Sequence, residues 1–257
     1  MEKSKYAVQT NLSNRLKARL SINNQVSVVD FQQWVQDQTE VPNGSDVLDV
    51  GCGTGEQSLR FLNRVGESGS VYAIDSMESS ITQLLENEAA GRNLIGKVGD
   101  MMDLRDLIND RRFNVAASTY AIYYARNPGV VLKTMYDSLK PGGHLMICVP
   151  QGPHGLVELV RRYKLIPSVV LDSLSMGRQL LEPFFDKHFD SYSISFLKNQ
   201  QSYKDINQVM SALTASPYYD DTIETDVRRN IESAIEAEGC FQFYKRSFLI
   251  TAQLTDV

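Results

Sequence analysis

One stretch of the sequence, VLDVGCGTG at residues 47–55, constrains the fold more than any other. Its apolar beginning predicts a short buried strand. The alternate glycines predict a tight turn, because glycine adopts backbone angles that other residues avoid and lets a ligand approach the main chain. A helix is predicted directly after this turn. In an open parallel sheet, such a turn lies at the carboxyl ends of the strands, where ligands bind.

The sequence after this turn alternates between strand and helix patterns. Such alternation predicts a parallel sheet with helices on both faces. The predicted strands are Asp46–Val50, Val71–Ile74, Leu94–Val98, Phe113–Ser118 and His144–Val149, and the predicted helices between them are Ser58–Val65, Glu78–Ala90 and Val130–Leu139.

Both ends of the chain depart from this alternation. Residues 1–44 are predicted to form a helical N-terminal cap, residues 45–150 the core, and residues 151–257 a lid with closing strands, all within a single domain. Two strands in the tail are expected to pair antiparallel at one edge of the sheet. The tail's predicted strands are Tyr192–Leu197 and Phe241–Leu254, and its predicted helices are Gly155–Lys164, Ser173–Phe185, Tyr203–Thr214 and Thr225–Glu238.

The glycine turn is compatible with two kinds of nucleoside cofactor. A dinucleotide site has the pattern G-x-G-x-x-G, but Glu56 occupies the place of the third glycine. A carboxylate there opposes a pyrophosphate, which the helix dipole would otherwise attract. S-adenosylmethionine has no phosphate, and its ammonium suits an acidic residue such as Asp49. Asp75, about twenty residues after the turn, would accept hydrogen bonds from ribose hydroxyls, with a helix cap as the alternative role.

Four motifs in a fixed order resemble those of class I S-adenosylmethionine-dependent methyltransferases. They are VLDVGCGTGE, the strand-end Asp75, Gly99-Asp100, and Leu139-Lys140-Pro141-Gly142-Gly143. The resemblance covers roughly residues 45–150 and implies an α/β fold with a Rossmann-like, seven-stranded, mostly parallel sheet whose last strand is antiparallel. Segments 11–16, 123–124, 150–158 and 216–219 also resemble a bacterial subgroup that acts in small-molecule or surface-glycan biosynthesis.

The resemblance implies a role for particular residues around the cofactor. The methionine end would lie on the residues at the glycine turn, the ribose at the end of the second strand, the adenine beyond the third, and the sulfonium near the end of the fourth. In that order the implied cofactor residues are Asp49, Gly51, Gly53 and Gly55; Asp75, Ser76 and Met77; Asp100 and Met101; and Ser118 and Thr119. Core packing is the alternative role for Met101.

Candidates on the acceptor side are side chains near the carboxyl ends of the strands. His154 follows the fifth strand in a loop rich in proline and glycine, and its ordinary pKa suits a general base at neutral pH. Tyr120 is the second catalytic candidate. Surface exposure is the alternative for His154, and core packing for the tyrosines, while His144 and His188 are predicted to be structural. The candidate substrate-binding residues are Tyr6, Arg15, Tyr123, Tyr124 and Tyr218.

The composition of the chain disfavours several classes of binding partner. The formal net charge of −5 disfavours a nucleic-acid surface, which usually needs a basic stripe. Without a long apolar run, neither a membrane span nor a secretory signal is expected, and the three widely separated cysteines fit the cytoplasm. No metal-binding motif is recognised, so no metal is expected. A homo-oligomer is left open.

The leading hypothesis is therefore methyl transfer from S-adenosylmethionine, with S-adenosylhomocysteine as the product, to a small-molecule acceptor. The acceptor would be a metabolite or a sugar intermediate, methylated first of all on oxygen or nitrogen, with carbon left open as an alternative. Alternatives are a methyltransferase acting on RNA or protein, a noncatalytic S-adenosylmethionine-binding module, and a nicotinamide oxidoreductase. The sequence lacks the Asn-Pro-Pro-Tyr and Pro-Cys motifs that mark several enzymes acting on nucleic-acid bases or glutamine side chains.

Overall fold

The structure, a computed structural model, describes residues 21–22, 25–216 and 218–255. Its centre is a seven-stranded sheet with the strand order β3-β2-β1-β4-β5-β7-β6. Strands β1 to β5 pair in parallel, whereas β7 is antiparallel to both β5 and β6. The strands are β1 (Asp46–Val50), β2 (Ser70–Asp75), β3 (Leu94–Val98), β4 (Phe113–Thr119), β5 (Leu139–Pro150), β6 (Ser193–Tyr203) and β7 (Phe241–Gln253). The predicted fold is confirmed.

Helices cover both faces of the sheet and one end of it. A π-helical segment, Gly177–Leu181, joins α7 to α8. No helix among the described residues is long and apolar enough to cross a membrane. The α-helices are α1 (Phe31–Asp37), α2 (Glu56–Val65), α3 (Glu78–Leu85), α4 (Leu104–Ile108), α5 (Pro128–Asp137), α6 (Val157–Val160), α7 (Ser168–Met176), α8 (Glu182–His188), α9 (Ile206–Thr214) and α10 (Glu224–Glu238).

Both faces of the central parallel strands β1, β2 and β4 are buried, as their nearly continuous apolar sequences require. Along β1, Leu48 and Val50 belong to the cluster on one face of the sheet, and Val47 to the cluster on the other. A third cluster lies under α9 and α10, where Leu213 and Ile231 are completely buried. This third cluster holds the tail of the chain against the end of the sheet.

The chain reverses its direction of travel across the sheet between β1 and β4. Strands β2 and β3 lie on one side of β1, and β4 and β5 lie on the other. Such a switch leaves a crevice at the carboxyl ends of the two central strands, because the connections leave in opposite directions. The glycine turn that follows β1 and the loop that follows β4 therefore meet at this crevice.

Two predicted helices are shorter in the structure than the sequence pattern predicts. The helix predicted over Glu78–Ala90 ends at Leu85, and the Asn87 side chain then accepts from the Ala89 N–H in a local turn. The segment Gly155–Lys164 contains only the four-residue helix α6, and turns with three-residue spacing surround it. A helix of this length gains little from its own hydrogen bonds, so tertiary packing determines its bounds.

A further difference concerns the end of β6. The sequence pattern predicts a strand over Tyr192–Leu197 and a helix that starts at Tyr203, but β6 runs unbroken from Ser193 to Tyr203. Pairing with β7 continues along this whole length, ending at Tyr203 opposite Phe241. Asp205 then caps α9 by accepting from the Asn207 N–H. The predicted antiparallel pairing of these two strands is correct, although β6 is almost twice as long as expected.

Candidate active site

The glycine turn connects β1 to α2 with three glycines at positive φ. Gly51, Gly53 and Gly55 have φ values of 74°, 56° and 88°. The backbone N–H groups of Gly51 and Cys52 both donate to the Ile74 carbonyl, at 2.8 and 3.0 Å, which fixes the turn against β2. An added Cβ at Gly51 would lie 2.2 Å from the Ala121 Cβ. Glycine is therefore required at Gly51 by both its φ and the close approach of the loop after β4.

Asp49 is a buried carboxylate just before this turn. It is 1% exposed, and the Ser58 hydroxyl donates to its Oδ2 at 2.6 Å. Burial raises the pKa of Asp49 to about 6, with a smaller contribution in the same direction from the negative charge of Asp75. A cation bound beside Asp49 would stabilise its ionised form.

Asp75 ends β2 and accepts hydrogen bonds from the backbone of the glycine turn and of the loop after β2. Its Oδ2 accepts from the Gly53 N–H and its Oδ1 from the Met77 N–H, each at 2.9 Å. Burial raises the pKa of Asp75 above its ordinary value, and these backbone N–H groups act against that rise. An ionised carboxylate has about four acceptor positions, so Asp75 keeps capacity for ribose hydroxyls while it fixes the loop. The ribose and capping roles are thus compatible.

A central cavity extends from the glycine turn to the far ends of β6 and β7. Seven of the cofactor residues implied by the sequence line this cavity. They are Asp49, Gly51, Gly53, Asp75, Ser76, Met101 and Thr119.

The other four implied cofactor residues stand beside the cavity and have local structural contacts. An added Cβ at Gly55 would lie 2.1 Å from Leu84 Cδ1, so Gly55 allows α2 to pack on α3. Ser118 is fully buried and donates to the Val50 carbonyl at 2.9 Å. Asp100 is exposed and accepts from the Met102 N–H. Met77 is the residue before the first turn of α3.

Tyr120 follows β4 and lines the central cavity in an unusual backbone conformation. Its φ of 55° is rare for a residue with a bulky side chain. Its hydroxyl lies 2.9 Å from the Ser247 Oγ, and its ring meets the Phe31 ring edge-on at 5.3 Å between centroids. Such strained conformations are found often at functional sites. Tyr120 thus joins the end of β4, the strand β7 and helix α1 at one point.

His154 is buried rather than on the surface, and it lines the same cavity. It is 9% exposed, in the loop between β5 and α6. Its Nδ1 lies 2.8 Å from the Arg246 carbonyl oxygen and 3.0 Å from the Arg246 backbone nitrogen. The imidazole ring centroid is 6.1 Å from that of Tyr120. Contacts at Nδ1 orient the ring, whichever tautomer is present.

Of the five candidate substrate-binding residues, three line the central cavity and two lie outside the described residues. Tyr123, Tyr124 and Tyr218 line the central cavity, and the rings of the first two lie 4.5 Å apart. Tyr6 and Arg15 lie outside the described residues. The two histidines expected to be structural, His144 on β5 and His188 at the end of α8, are not among the residues lining this cavity.

The sequence match that decides the family covers most of the core. Residues 42–206 match the profile of a methyltransferase domain family. The chain belongs to this methyltransferase domain family. This family agrees with the S-adenosylmethionine cofactor that the ordered motifs predict.

Individual relatives agree with the family. A demethylmenaquinone methyltransferase from Staphylococcus aureus is 29% identical over 147 residues, which cover 56% of this chain and 60% of that protein. The chain thus matches less than two thirds of this relative's length.

Among solved structures, a putative methyltransferase from Bacillus halodurans has a TM-score of 0.62 at 15% identity, covering 88% of this chain and 100% of that one. A precorrin 8w decarboxylase from Methanobacterium thermoautotrophicum has a TM-score of 0.52 at 16% identity, covering 87% and 90%. At such identities the likeness shows the fold alone, and this fold carries more than one kind of reaction.

The acidic side chains at the glycine turn of this methyltransferase domain suit the positive charges of S-adenosylmethionine. Asp49, Glu56 and Asp75 line that end of the cavity, and among the described lining residues the one lysine or arginine, Lys245, belongs to β7 at the other end. Acidic groups attract an ammonium and a sulfonium but repel a pyrophosphate. Within the described part of the chain, no group of three or more histidine, cysteine, aspartate or glutamate side chains is placed to hold a metal ion.

The acceptor end of the cavity in the methyltransferase contains residues that the sequence analysis missed. They lie at alternate positions on β6 and β7, so all of them face the same side of this pair of strands. The alternating pattern along β6 could have identified these residues there. It was overlooked because a helix was predicted to start at Tyr203. The missed residues are Asn199, Gln201 and Tyr203 on β6 and Phe243, Lys245 and Ser247 on β7.

A short N-terminal segment, Ser27–Val29, closes over these strands. The Val29 N–H donates to the Asn199 Oδ1 at 3.0 Å, and the Asn199 Nδ2 donates back to the Val29 carbonyl at 2.8 Å. Gln201 Nε2 donates to the Ser27 Oγ at 2.9 Å. The segment therefore forms part of the wall of the cavity, and side-chain amides of β6 hold it in place.

Proposed function

We propose that this methyltransferase moves a methyl group from S-adenosylmethionine to a small organic acceptor, on oxygen or nitrogen. The observation that carries the proposal is the continuity of the central cavity. Asp49 and Asp75 at one end and Tyr203 and Phe243 at the other line the same space. A nucleoside cofactor at the glycine turn and a small acceptor under β6 and β7 would therefore share one cavity.

The reaction is an in-line displacement at a methyl carbon that the positive sulfur activates. The protein's part is to align the acceptor atom with the methyl group and to exclude water, and positioning alone lowers such barriers by roughly 7 kcal/mol or more. Leu156, Val157, Val169 and Val170 supply apolar walls at the acceptor end. Such walls exclude water, and they fit an acceptor with an apolar body better than an extended polymer.

The name of one relative supports the same class of acceptor. The Staphylococcus aureus relative is named for methyl transfer to demethylmenaquinone, a small molecule with an apolar body. Because the match covers 60% of that protein, we propose the same class of acceptor for this chain but not the same compound.

His154 is our candidate for the general base, which an acceptor hydroxyl or ammonium requires. In the tautomer whose Nδ1–H donates to the Arg246 carbonyl oxygen, Nε2 is unprotonated and would receive the proton. We expect His154→Ala to lower kcat at a saturating acceptor concentration by about 10²-fold, the usual contribution of a general base. His144→Ala, outside the cavity, should keep the wild-type kcat. Wild-type turnover by His154→Ala would exclude the base role.

The activity is tested by incubating the purified protein with S-adenosylmethionine labelled in its methyl group. The acceptors are a library of small metabolites, together with bulk RNA and a mixture of unfolded proteins. We expect label in one or a few small molecules, and label in RNA or protein alone would contradict the proposal. Calorimetry on the same sample should show binding of S-adenosylhomocysteine with a Kd in the micromolar range and no binding of NAD.

A further inference from the structure

The acceptor end of the central cavity contains buried oxygen atoms without hydrogen-bond partners. Among the described residues, Gln201 Oε1 and Tyr203 Oη are buried and have no hydrogen-bond partner, and both residues line the cavity. Gln201 is 1% exposed and Tyr203 is completely buried. Buried polar atoms are nearly always hydrogen-bonded, so two such atoms on the same strand beside one cavity indicate a bound polar group that completes them.

Gln201 and Tyr203 are placed to act together. They lie two residues apart on β6, so their side chains project from the same face of the sheet. The amide nitrogen of Gln201 is occupied by the Ser27 hydroxyl, which leaves the amide oxygen as the atom that accepts. Burial raises the pKa of Tyr203 well above its ordinary value, so the phenol stays protonated and can both donate and accept.

Resting on the proposed function, we propose that Gln201 and Tyr203 form a recognition site for a neutral hydroxyl or N–H group carried by an acceptor with an apolar, ring-sized body. The polar group would donate to Gln201 Oε1 and accept from Tyr203 Oη. The apolar body would pack on Phe243, Leu156 and Val157, which line the same end of the cavity. A site built to bind a hydroxyl rejects the analogue that lacks it, because the buried polar atoms are then left unpaired.

The experiment compares 2-naphthol with naphthalene, two probes of the same shape that differ by one hydroxyl. Dissociation constants are measured by fluorescence titration on the full chain saturated with S-adenosylhomocysteine. We expect the wild type to bind 2-naphthol at least tenfold more tightly than naphthalene. Tyr203→Phe and Gln201→Leu should reduce this preference to less than threefold and leave the affinity for naphthalene nearly unchanged.

Tyr244→Phe is the matched control, because Tyr244 is a partly exposed tyrosine that is not among the cavity-lining residues. It should keep the full preference. If Gln201→Leu fails to fold because it loses the contact with Ser27, Tyr203→Phe decides alone. Equal binding of the two probes by the wild type, or a preference that survives Tyr203→Phe, would overturn the proposal.

Failure of this proposal can be told apart from failure of the proposed function. The affinity for S-adenosylhomocysteine is measured on the wild type and on each variant before the titrations. If the wild type binds S-adenosylhomocysteine but does not prefer 2-naphthol, the acceptor site is wrong and the methyltransferase assignment stands. If the wild type does not bind S-adenosylhomocysteine, the proposed function fails, and titrations without it still test the preference.

Discussion

Asp75 combines two roles in one carboxylate, and this makes it the most sensitive single residue of the cofactor end. Replacing Asp75 by alanine removes the proposed ribose acceptor and leaves the Gly53 and Met77 N–H groups without their partner. We expect the affinity for S-adenosylhomocysteine to fall more than tenfold in calorimetry, that is by over about 1.4 kcal/mol. Asp137→Ala, which alters a half-buried residue of α5 that is not among the cavity-lining residues, is the control. An unchanged affinity in Asp75→Ala would refute the ribose role.

Asp49 makes cofactor binding depend on pH. Its pKa of about 6 lies above the ordinary value of 3.8, so the free protein holds this proton more tightly than the unfolded chain does. The contribution of Asp49 to folding stability therefore falls as pH rises from about 4 to 6. Binding of the cofactor's ammonium needs the ionised form, so affinity changes in the opposite direction.

We expect S-adenosylhomocysteine to bind roughly tenfold more weakly at pH 5 than at pH 7.5, because only about a tenth of Asp49 is ionised one pH unit below its pKa. Asp49→Asn keeps an oxygen that accepts from Ser58 but has no proton to lose. It should bind more weakly at pH 7.5 and show little change between the two pH values. Calorimetry at both pH values measures this, and a parallel pH dependence in Asp49→Asn would assign the effect to another group.

Single residues also show which parts of the site could be predicted from the sequence and which could not. The residues at the glycine turn and Asp75 were predicted because a glycine pattern and a strand-end carboxylate have direct physical meanings. Gln201 and Tyr203 were missed because neither residue type forms a motif, and their surroundings come from strands far apart in sequence. Asp205 was the one local signal that the helix starts after Tyr203, since its side chain caps α9.

Whole strands also differ in how well the sequence predicts them. Strands β1 to β4 were predicted nearly to the residue, because each is an apolar run bounded by turns, whereas β5 begins at Leu139 instead of the predicted His144. The extent of β6 was not predictable, since its second half, Lys198–Tyr203, is polar and is held in the sheet by pairing with β7. Its amides form the cavity wall, so polarity there reflects the site rather than a loop.

The contact between α2 and α3 depends on one glycine. At Gly55 an added Cβ would lie 2.1 Å from Leu84 Cδ1, and the φ of 88° disfavours a side chain as well. We expect Gly55→Ala to lower the free energy of unfolding by about 2–4 kcal/mol, from overpacking together with left-handed strain. Urea unfolding followed by circular dichroism measures the change.

A double-mutant cycle separates the two causes. In Gly55→Ala with Leu84→Ala, the clash disappears while the strain remains. The double variant should therefore be more stable than the sum of the single changes predicts, by about 1–3 kcal/mol of coupling energy. Strict additivity would mean that the backbone angle alone requires glycine at Gly55. The affinity of the folded Gly55→Ala protein for S-adenosylhomocysteine then reports whether Gly55 also contacts the cofactor.

At the scale of the whole molecule, the cavity joins parts that are distant in sequence. The loops after β1, β2 and β4 form its cofactor end, whereas β6, β7 and the segment Ser27–Val29 form the acceptor end. All of these elements are held on one continuous sheet. A ligand at the glycine turn should therefore stabilise the whole chain and not one loop.

Thermal unfolding tests this cooperativity. A ligand at a hundred times its Kd adds about 2.7 kcal/mol to the stability of the state that binds it. For a chain of this size, that corresponds to a rise in Tm of roughly 5–10 °C. We expect S-adenosylhomocysteine to produce one such shift in a single transition, whereas NAD at equal concentration produces none. Asp75→Ala should show a smaller shift at the same ligand concentration. A shift with NAD alone would contradict the cofactor assignment, and a second, unshifted transition would show that the tail unfolds independently of the cofactor end.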